Sequence, residues 1–402
     1  MPSYHTHLCL VSAQATPNLL PLLDEAWRPC RVVLACSEQM KDQAHALRSV
    51  IQTKGGGITV DMLALPNVYD YAALSDAFLN FLAQHADDNM ALNVTGGTKL
   101  MAVAAQEVFR AAGKPVFYVS VESDEVLVIG GKTRSQPLRA KLKVHEMLKA
   151  HGYGVTAQDQ PRITRELRDL TARLIDHVAS AGWALGILNA LARHARNDPR
   201  LSATLTPNQL DSRALGDILA LIEDAGLARL AKSTLTFQNE ESRFFANGGW
   251  LEAHVYEALQ SLRSQHDNLT DVAMGVRVGF SEGSNRPHGN DKNEIDVAFL
   301  YRNTLHLIEC KTANLAQPGS GDDDKATEAI YKMESLLKLG GLRTRGMVVD
   351  YRGQLSQSEA NRKRAQEAGI AIVAGGQLKD LKGAISRLWL SDRKPAPAWP
   401  SP

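Results

Sequence analysis

Residues 293–312 read NEIDVAFLYRNTLHLIECKT, and this stretch decides the fold of the C-terminal part. Its apolar positions Ile295, Val297, Phe299, Leu305, Leu307 and Ile308 predict two short, largely buried strands joined by a turn at Arg302 and Asn303. Residues two apart in a strand share a face. Glu309 and Lys311 therefore point the same way as Leu305 and Leu307, with His306, Ile308 and Cys310 pointing the other way. Asp296 lies at hairpin distance from them. Two carboxylates can hold a hard divalent cation such as Mg²⁺, and an adjacent ammonium can orient a water or offset developing negative charge. Taken alone, an acid-x-lysine in a strand also reads as a surface ion pair. Burial tips the balance, because a carboxylate among apolar neighbours needs a partner or a metal.

Working outward, residues 247–390 read as an α/β unit built around that hairpin. Helices are expected at 248–263, 325–339, 357–368 and 377–388, and strands near 271–280, 346–350 and 370–374. The segment NGGWLE (247–252) opens the first helix, whose apolar face is Leu251, Val255, Ala258, Leu259 and Leu262. Glu252 beside that face is a third candidate carboxylate, although a glutamate in a first helical turn is also favoured by the helix dipole. Glu328 and Lys332, four apart on a later helix, read as a surface ion pair; a phosphate contact by Lys332 is the alternative. The polar loops 281–293 and 317–325 are expected beside the site, and the proline-rich tail 391–402 is expected to be disordered.

Residues 1–135 alternate strand and helix, with apolar runs at 7–11, 31–36, 58–64, 90–94 and 115–120. That pattern implies a parallel, Rossmann-like sheet covered on both faces, with ligands at the carboxyl ends of the strands. One such end carries NVTGGTK: Asn93, Val94, Thr95, Gly96, Gly97, Thr98 and Lys99. Glycines allow close backbone approach and helix-start N–H groups attract anions, so a phosphate-bearing ligand is the favoured reading, with a structural glycine turn as the bland one. Neither the P-loop pattern nor G-x-G-x-x-G is present. Gln14 and Asn18 in the loop after the first strand, and Ser37 after the second, would stand beside it. Residues 136–246 are helical with a closing hairpin, which reads either as a winged helix or as a plain spacer.

Composition narrows the classes. The 402 residues carry a net charge of +1, so no global field marks a nucleic-acid partner, and any such contact must be local. The four cysteines show no C-x-x-C spacing, which argues against zinc or a disulfide framework and fits a reducing cytoplasm. The first residues lack a signal-peptide pattern, and no apolar run approaches a membrane span of ~20 residues. A cytoplasmic protein with no membrane partner is expected.

The pattern of Asp296 with Glu309-Cys310-Lys311 resembles the PD-(D/E)xK nuclease superfamily, and Glu252 is similar to the glutamate its members carry on the first core helix. Ile295 stands where a proline is usual. NVTGGTK resembles the ligand motif of the CRISPR-associated Rossmann fold (CARF) domain. Their combination, with GGWLE and YKMESLLKLGG, is similar to the CARF nucleases of type III CRISPR defence. The resemblance implies a homodimer whose CARF domains bind one cyclic oligoadenylate, cyclic tetra-adenylate, and thereby switch on cleavage of DNA, with RNA as a second candidate substrate. It implies a ligand site at Gln14, Asn18, Ser37, Asn93, Thr95, Gly96, Gly97, Thr98 and Lys99. It implies Mg²⁺ or Mn²⁺ on Asp296, Glu309 and the Cys310 carbonyl, with Lys311 positioning the attacking water. Two rivals are a CARF transcription regulator that binds DNA through the middle segment, and a ring nuclease that degrades its own cyclic ligand.

Overall fold

The computed structural model describes residues 4–130, 135–159, 162–280, 293–312 and 323–390. The expected loop residues 281–292 and 317–322 and the tail 391–402 lie outside them.

The N-terminal sheet contains strands β1 (Thr6–Leu10), β2 (Arg31–Cys36), β3 (Thr59–Ala64), β4 (Met90–Asn93), β5 (Val116–Ser120), β6 (Glu125–Val128) and β7 (Gln136–Pro137). Their order is β3-β2-β1-β4-β5-β6-β7, parallel through β5 and antiparallel beyond it. Helices α1 (Thr16–Leu23) and α2 (Lys41–Lys54) cover one face, and α3 (Tyr71–Gln84) and α4 (Lys99–Ala111) the other. Cover on both faces explains the unbroken apolar runs: all five residues of β1 are buried. The chain reverses direction across the sheet between β1 and β4, the switch point where such sheets bind ligands.

A short helix α5 (Val144–Ala150) then leads into β8 (Tyr153–Asp159). This strand departs from expectation. Its sequence YGVTAQD falls in the stretch read as connector, yet it pairs with the C-terminal sheet as its edge. Next comes α6 (Arg165–Ala195), one long helix kinked at Ala181. β9 (Ser202–Thr204), α7 (Pro207–Leu210), α8 (Arg213–Asp224), β10 (Ala228–Ala231) and β11 (Thr234–Phe237) follow. The three strands form an antiparallel sheet of order β10-β11-β9 against the helices, a winged-helix arrangement. By length and composition α6 could cross a membrane, with a mean hydropathy of 1.3. Its Leu174, Leu185 and Leu188 are instead packed inside the protein.

After α9 (Glu240–Phe244) and a π-turn, α10 (Trp250–Arg263) opens the C-terminal unit. The sheet adds β12 (Leu269–Phe280), β13 (Asn293–Tyr301), β14 (Thr304–Lys311), β15 (Arg345–Asp350) and β16 (Ile370–Ala374), in the order β16-β15-β14-β13-β12-β8. Between them lie α11 (Asp323–Leu337), α12 (Gln354–Gln357) and α13 (Glu359–Glu367), with α14 (Leu381–Ile385) last. The single helices expected over 357–368 and 377–388 are each broken into shorter pieces. Arg302 and Asn303 have φ of 48° and 50°, the left-handed pair of a tight two-residue hairpin turn whose twist suits the strands it joins.

One apolar core runs from α1 and α2 through α5 into the face of the C-terminal sheet covered by α11. Polar bonds fix the seam. Asp271 Oδ2 accepts from Val144 N at 2.8 Å, and Asn303 Oδ1 accepts from Leu142 N at 3.1 Å. On the other side Lys54 pairs with Glu146 at 2.6 Å, and Gln43 Nε2 donates to Ala150 O at 2.5 Å.

Candidate active site and ligand site

Alternation along β14 places Glu309 and Lys311 on one face, and the β13 partner strand brings Asp296 alongside. Glu309 is only 2% exposed. Its Oε1 accepts from Lys311 Nζ at 2.7 Å and from Lys332 Nζ at 2.6 Å, while its Oε2 has no partner among the described residues. Asp296 Oδ2 accepts from the Cys310 backbone N–H at 2.7 Å. Lys332 therefore corrects the expectation of a surface pair with Glu328: α11 lays it across the β14 carboxylate. The i,i+4 spacing in sequence could not reveal this, since the contact depends on how α11 packs.

Charge accumulates here beyond what two lysines balance. Burial, then the Glu309 charge, pushes Asp296 up to about 7. Glu252, on the first turn of α10, is pushed up to about 9 by burial and then by Asp296, Glu294, Glu309 and Asp159. Those couplings bring the third expected acid into the cluster. Burial alone would lower Lys332, but Glu309 and Asp296 more than offset it and hold the ammonium above its ordinary range. The Cys310 thiol is pushed well up by burial, so it stays protonated and would offer a cation only its carbonyl. Among the described residues no three acids, histidines or cysteines stand in ready ligating geometry, and both ammonium groups hold Glu309 Oε1. A divalent cation nevertheless fits this donor set. Among the described residues the buried oxygen of Glu309 lacks a partner, and two neighbouring carboxyls are pushed toward their neutral forms by burial and then by one another's charge. Asp350, fully buried beside Lys311 in register, is a different case. Its two oxygens accept from Arg352 N at 3.0 Å and Leu355 N at 2.9 Å, so it shapes a turn.

The N-terminal loops also converge, in another manner. Asn18 Nδ2 donates to Leu10 O at 2.9 Å, and Asn93 Nδ2 donates to Pro17 O at 3.0 Å and to Asn18 Oδ1 at 3.2 Å. Thr95 Oγ1 donates to Asn93 Oδ1 and accepts from Val119 N, each at 2.7 Å. Asn18 and Asn93 are 0% exposed. They hold the three strand ends together, which corrects the expectation that their side chains face a ligand. Thr98 caps α4, accepting from Met101 N at 3.2 Å. Gly96 is required, since a Cβ there would lie 2.0 Å from Leu10 O. Gln14 is also diverted: its Nε2 is buried without a partner, and it meets Gly341 beside His151, at the seam with the C-terminal unit. Partly exposed at the switch point are Ser37, Gly97 and Thr98, with Lys99 exposed and Gly96 buried behind them.

Comparison with known proteins follows the same division. The profile of the Card1 CARF domain matches residues 6–147, and that of the Card1-like endonuclease domain matches residues 239–391. No curated protein matches significantly. Among solved structures, protein VC1899 from Vibrio cholerae is 26% identical with a TM-score of 0.85, over 96% of this chain and 98% of that one. Can2 from Sulfobacillus thermosulfidooxidans, solved with cyclic tetra-adenylate, is also 26% identical, with a TM-score of 0.77 over 95% and 98% of the two chains. A type III CRISPR defence DNA nuclease activated by cyclic oligoadenylate shares the fold at 19% identity and a TM-score of 0.50, over 86% of this chain and 45% of that one. The chain belongs to the CARF-domain nucleases, joining a Card1-type CARF domain to a Card1-like endonuclease domain.

Proposed function

We propose that this protein is a cyclic tetra-adenylate-activated, metal-dependent nuclease of type III CRISPR defence that acts in the cytoplasm as a homodimer and cuts DNA, with RNA as a second candidate. The observation that carries the reading is Glu309: a buried carboxylate with one oxygen on two lysines and the other without a partner, beside Asp296 and Glu252. Asp296, Glu309 and the Cys310 carbonyl would hold Mg²⁺ or Mn²⁺, with Glu252 close by. When bound, the cation would offset negative charge developing on the phosphodiester.

The protein's own groups do the rest. Lys311, anchored on Glu309, holds the attacking water in line with the phosphorus through its remaining N–H donors. Lys332 carries a second ammonium to the same carboxylate. In the sensor, the Gly96–Gly97 turn and the start of α4 offer backbone N–H groups to a ring phosphate, and Lys99 adds charge. Exposed Leu100 and Val103 on α4 suit a second copy of the chain beside a two-fold symmetric ring. Activation requires that the ring bind the cleaving arrangement more tightly than the resting one.

The test is incubation of the protein with Mn²⁺ and plasmid, with and without cyclic tetra-adenylate. Ligand-dependent cleavage that vanishes in Glu309→Ala and Lys311→Ala is the expected result. Cleavage without ligand, or undiminished in both variants, overturns the reading.

A further inference from the structure

A cleft of about 520 Å³ opens where α6, α7 and the π-turn before α10 meet the end of β14. Its wall includes Thr312, the residue after Lys311, and Asn189 Nδ2 donates to Thr312 O at 3.0 Å. Asn189 is 8% exposed, and its Oδ1 has no partner. The rim carries Trp183, an indole left 52% exposed on α6, with Arg193 and Arg352. Among the described residues neither arginine has a carboxylate partner and no acid lines the cleft.

Arg352 is built into place. Its Nε donates to Tyr351 Oη at 2.8 Å, and that hydroxyl donates to Gly182 O at 3.2 Å. A Cβ at Gly186 would fall 1.5 Å from an Arg352 guanidinium nitrogen, so the guanidinium lies where the helix has no side chain. A second cleft between α6 and α10 makes the contrast. There Arg168 pairs with Glu257 at 2.8 Å and Lys379 with Asp176 at 3.0 Å, leaving no charge for a ligand.

An exposed indole flanked by guanidiniums without a carboxylate among the described residues, with a buried amide whose oxygen lacks a partner at its base, matches the chemistry of an unpaired nucleotide. The ring stacks on the base, the arginines neutralise phosphate, and the amide reads a base edge. A paired base offers no open face to the indole. We propose that this cleft binds the single-stranded nucleic acid flanking the cleavage point, with Trp183 as the stacking platform. The winged-helix segment thus serves as a substrate-binding element of the nuclease. The inference rests on the nuclease reading for its purpose, but not for its measurement.

The experiment is fluorescence anisotropy of a labelled 20-mer oligodeoxynucleotide, single-stranded or duplex, and of the matching RNA. It uses the full chain with cyclic tetra-adenylate and Ca²⁺ in place of the catalytic metal. Trp183→Ala is expected to weaken single-strand binding about ten-fold and duplex binding little, with Trp183→Phe retaining most of the affinity. Arg193→Gln is expected to flatten the salt dependence of single-strand binding by about 0.7 in the log–log slope. Single-strand affinity within two-fold of wild type in Trp183→Ala overturns the proposal, as does wild-type binding no tighter to single strand than to duplex. A shift of Trp183→Ala from dimer to monomer overturns it too, since the indole would then be a protomer contact. Trp183-dependent binding without activated plasmid cleavage leaves the subsite standing and the nuclease reading fallen. Activated cleavage with unchanged binding in Trp183→Ala does the reverse.

Discussion

The N-terminal loops and the acid cluster both bury polar side chains, but neutral ones in the first and charged ones in the second. Around Asn18, Asn93 and Thr95 the buried polar groups satisfy one another, and no charge is involved. Around Glu309 the groups are charged, one oxygen has no partner, and two carboxyls are driven toward protonation. The first site is complete without its ligand and offers backbone shape. The second is incomplete and asks for positive charge. The proposed roles, recognition by the turn and catalysis by the cluster, place different demands on mutation, and that difference can be tested.

The largest effect is expected in the cluster. Glu309→Ala or Lys311→Ala should lower activated cleavage by about 10²–10³-fold, the loss typical of removing one group that stabilises developing charge. Calorimetric titration should show cyclic tetra-adenylate binding unchanged; loss of binding would mean the two sites are not separable. Next comes the sensor. Gly96→Ala forces a Cβ onto Leu10 O and should destabilise the protein by about 1–3 kcal/mol, read in urea unfolding, while abolishing ligand binding. Normal affinity in that variant would remove the turn from the ligand site.

Smaller is Lys332→Gln. Lys311 remains on Glu309, so steady-state kinetics should show about a five-fold fall in activated cleavage, equivalent to about 1 kcal/mol for a half-exposed ion pair. The smallest effect concerns pH. Folded Asp296 and Glu252 keep protons that the unfolded chain releases near pH 4, so these groups favour the folded state at low pH. That contribution is lost as pH rises toward about 7 for Asp296 and about 9 for Glu252. In EDTA the thermal midpoint should fall by a few degrees between pH 5.5 and 8.5, and the increment from Mn²⁺ should grow over the same range. A pH-independent increment would break the account of the cluster as short of positive charge.

Much of this was legible in the sequence where a local rule governs. Period-two alternation and a left-handed turn pair define the β13–β14 hairpin, and with it Asp296, Glu309 and Lys311. The Gly96–Gly97 turn is legible because little else fits beside Leu10. Tertiary placement was not. β8 is an edge strand with a mixed polar sequence, so nothing in YGVTAQD ties it to β12 more than a hundred residues later. Lys332 reaches Glu309 only because α11 crosses β14. Asn18 and Asn93 look like ligand contacts from sequence, for a strand-end amide reads the same whether it faces a ligand or ties down a loop.

The core shared through α5 sets how this chain can be cut and rejoined. The matched endonuclease region begins at residue 239, whereas its sheet needs β8 from residues 153–159. A transplant of residues 239–391 alone would leave β12 with a bare edge open to pairing with other chains. It would also uncover the wall formed by Ile330, Met333 and Leu305, and strip Asp271 and Asn303 of their partners. A working exchange of sensors must therefore carry residues 138–159 along with the nuclease, which makes that short segment the true boundary between interchangeable parts.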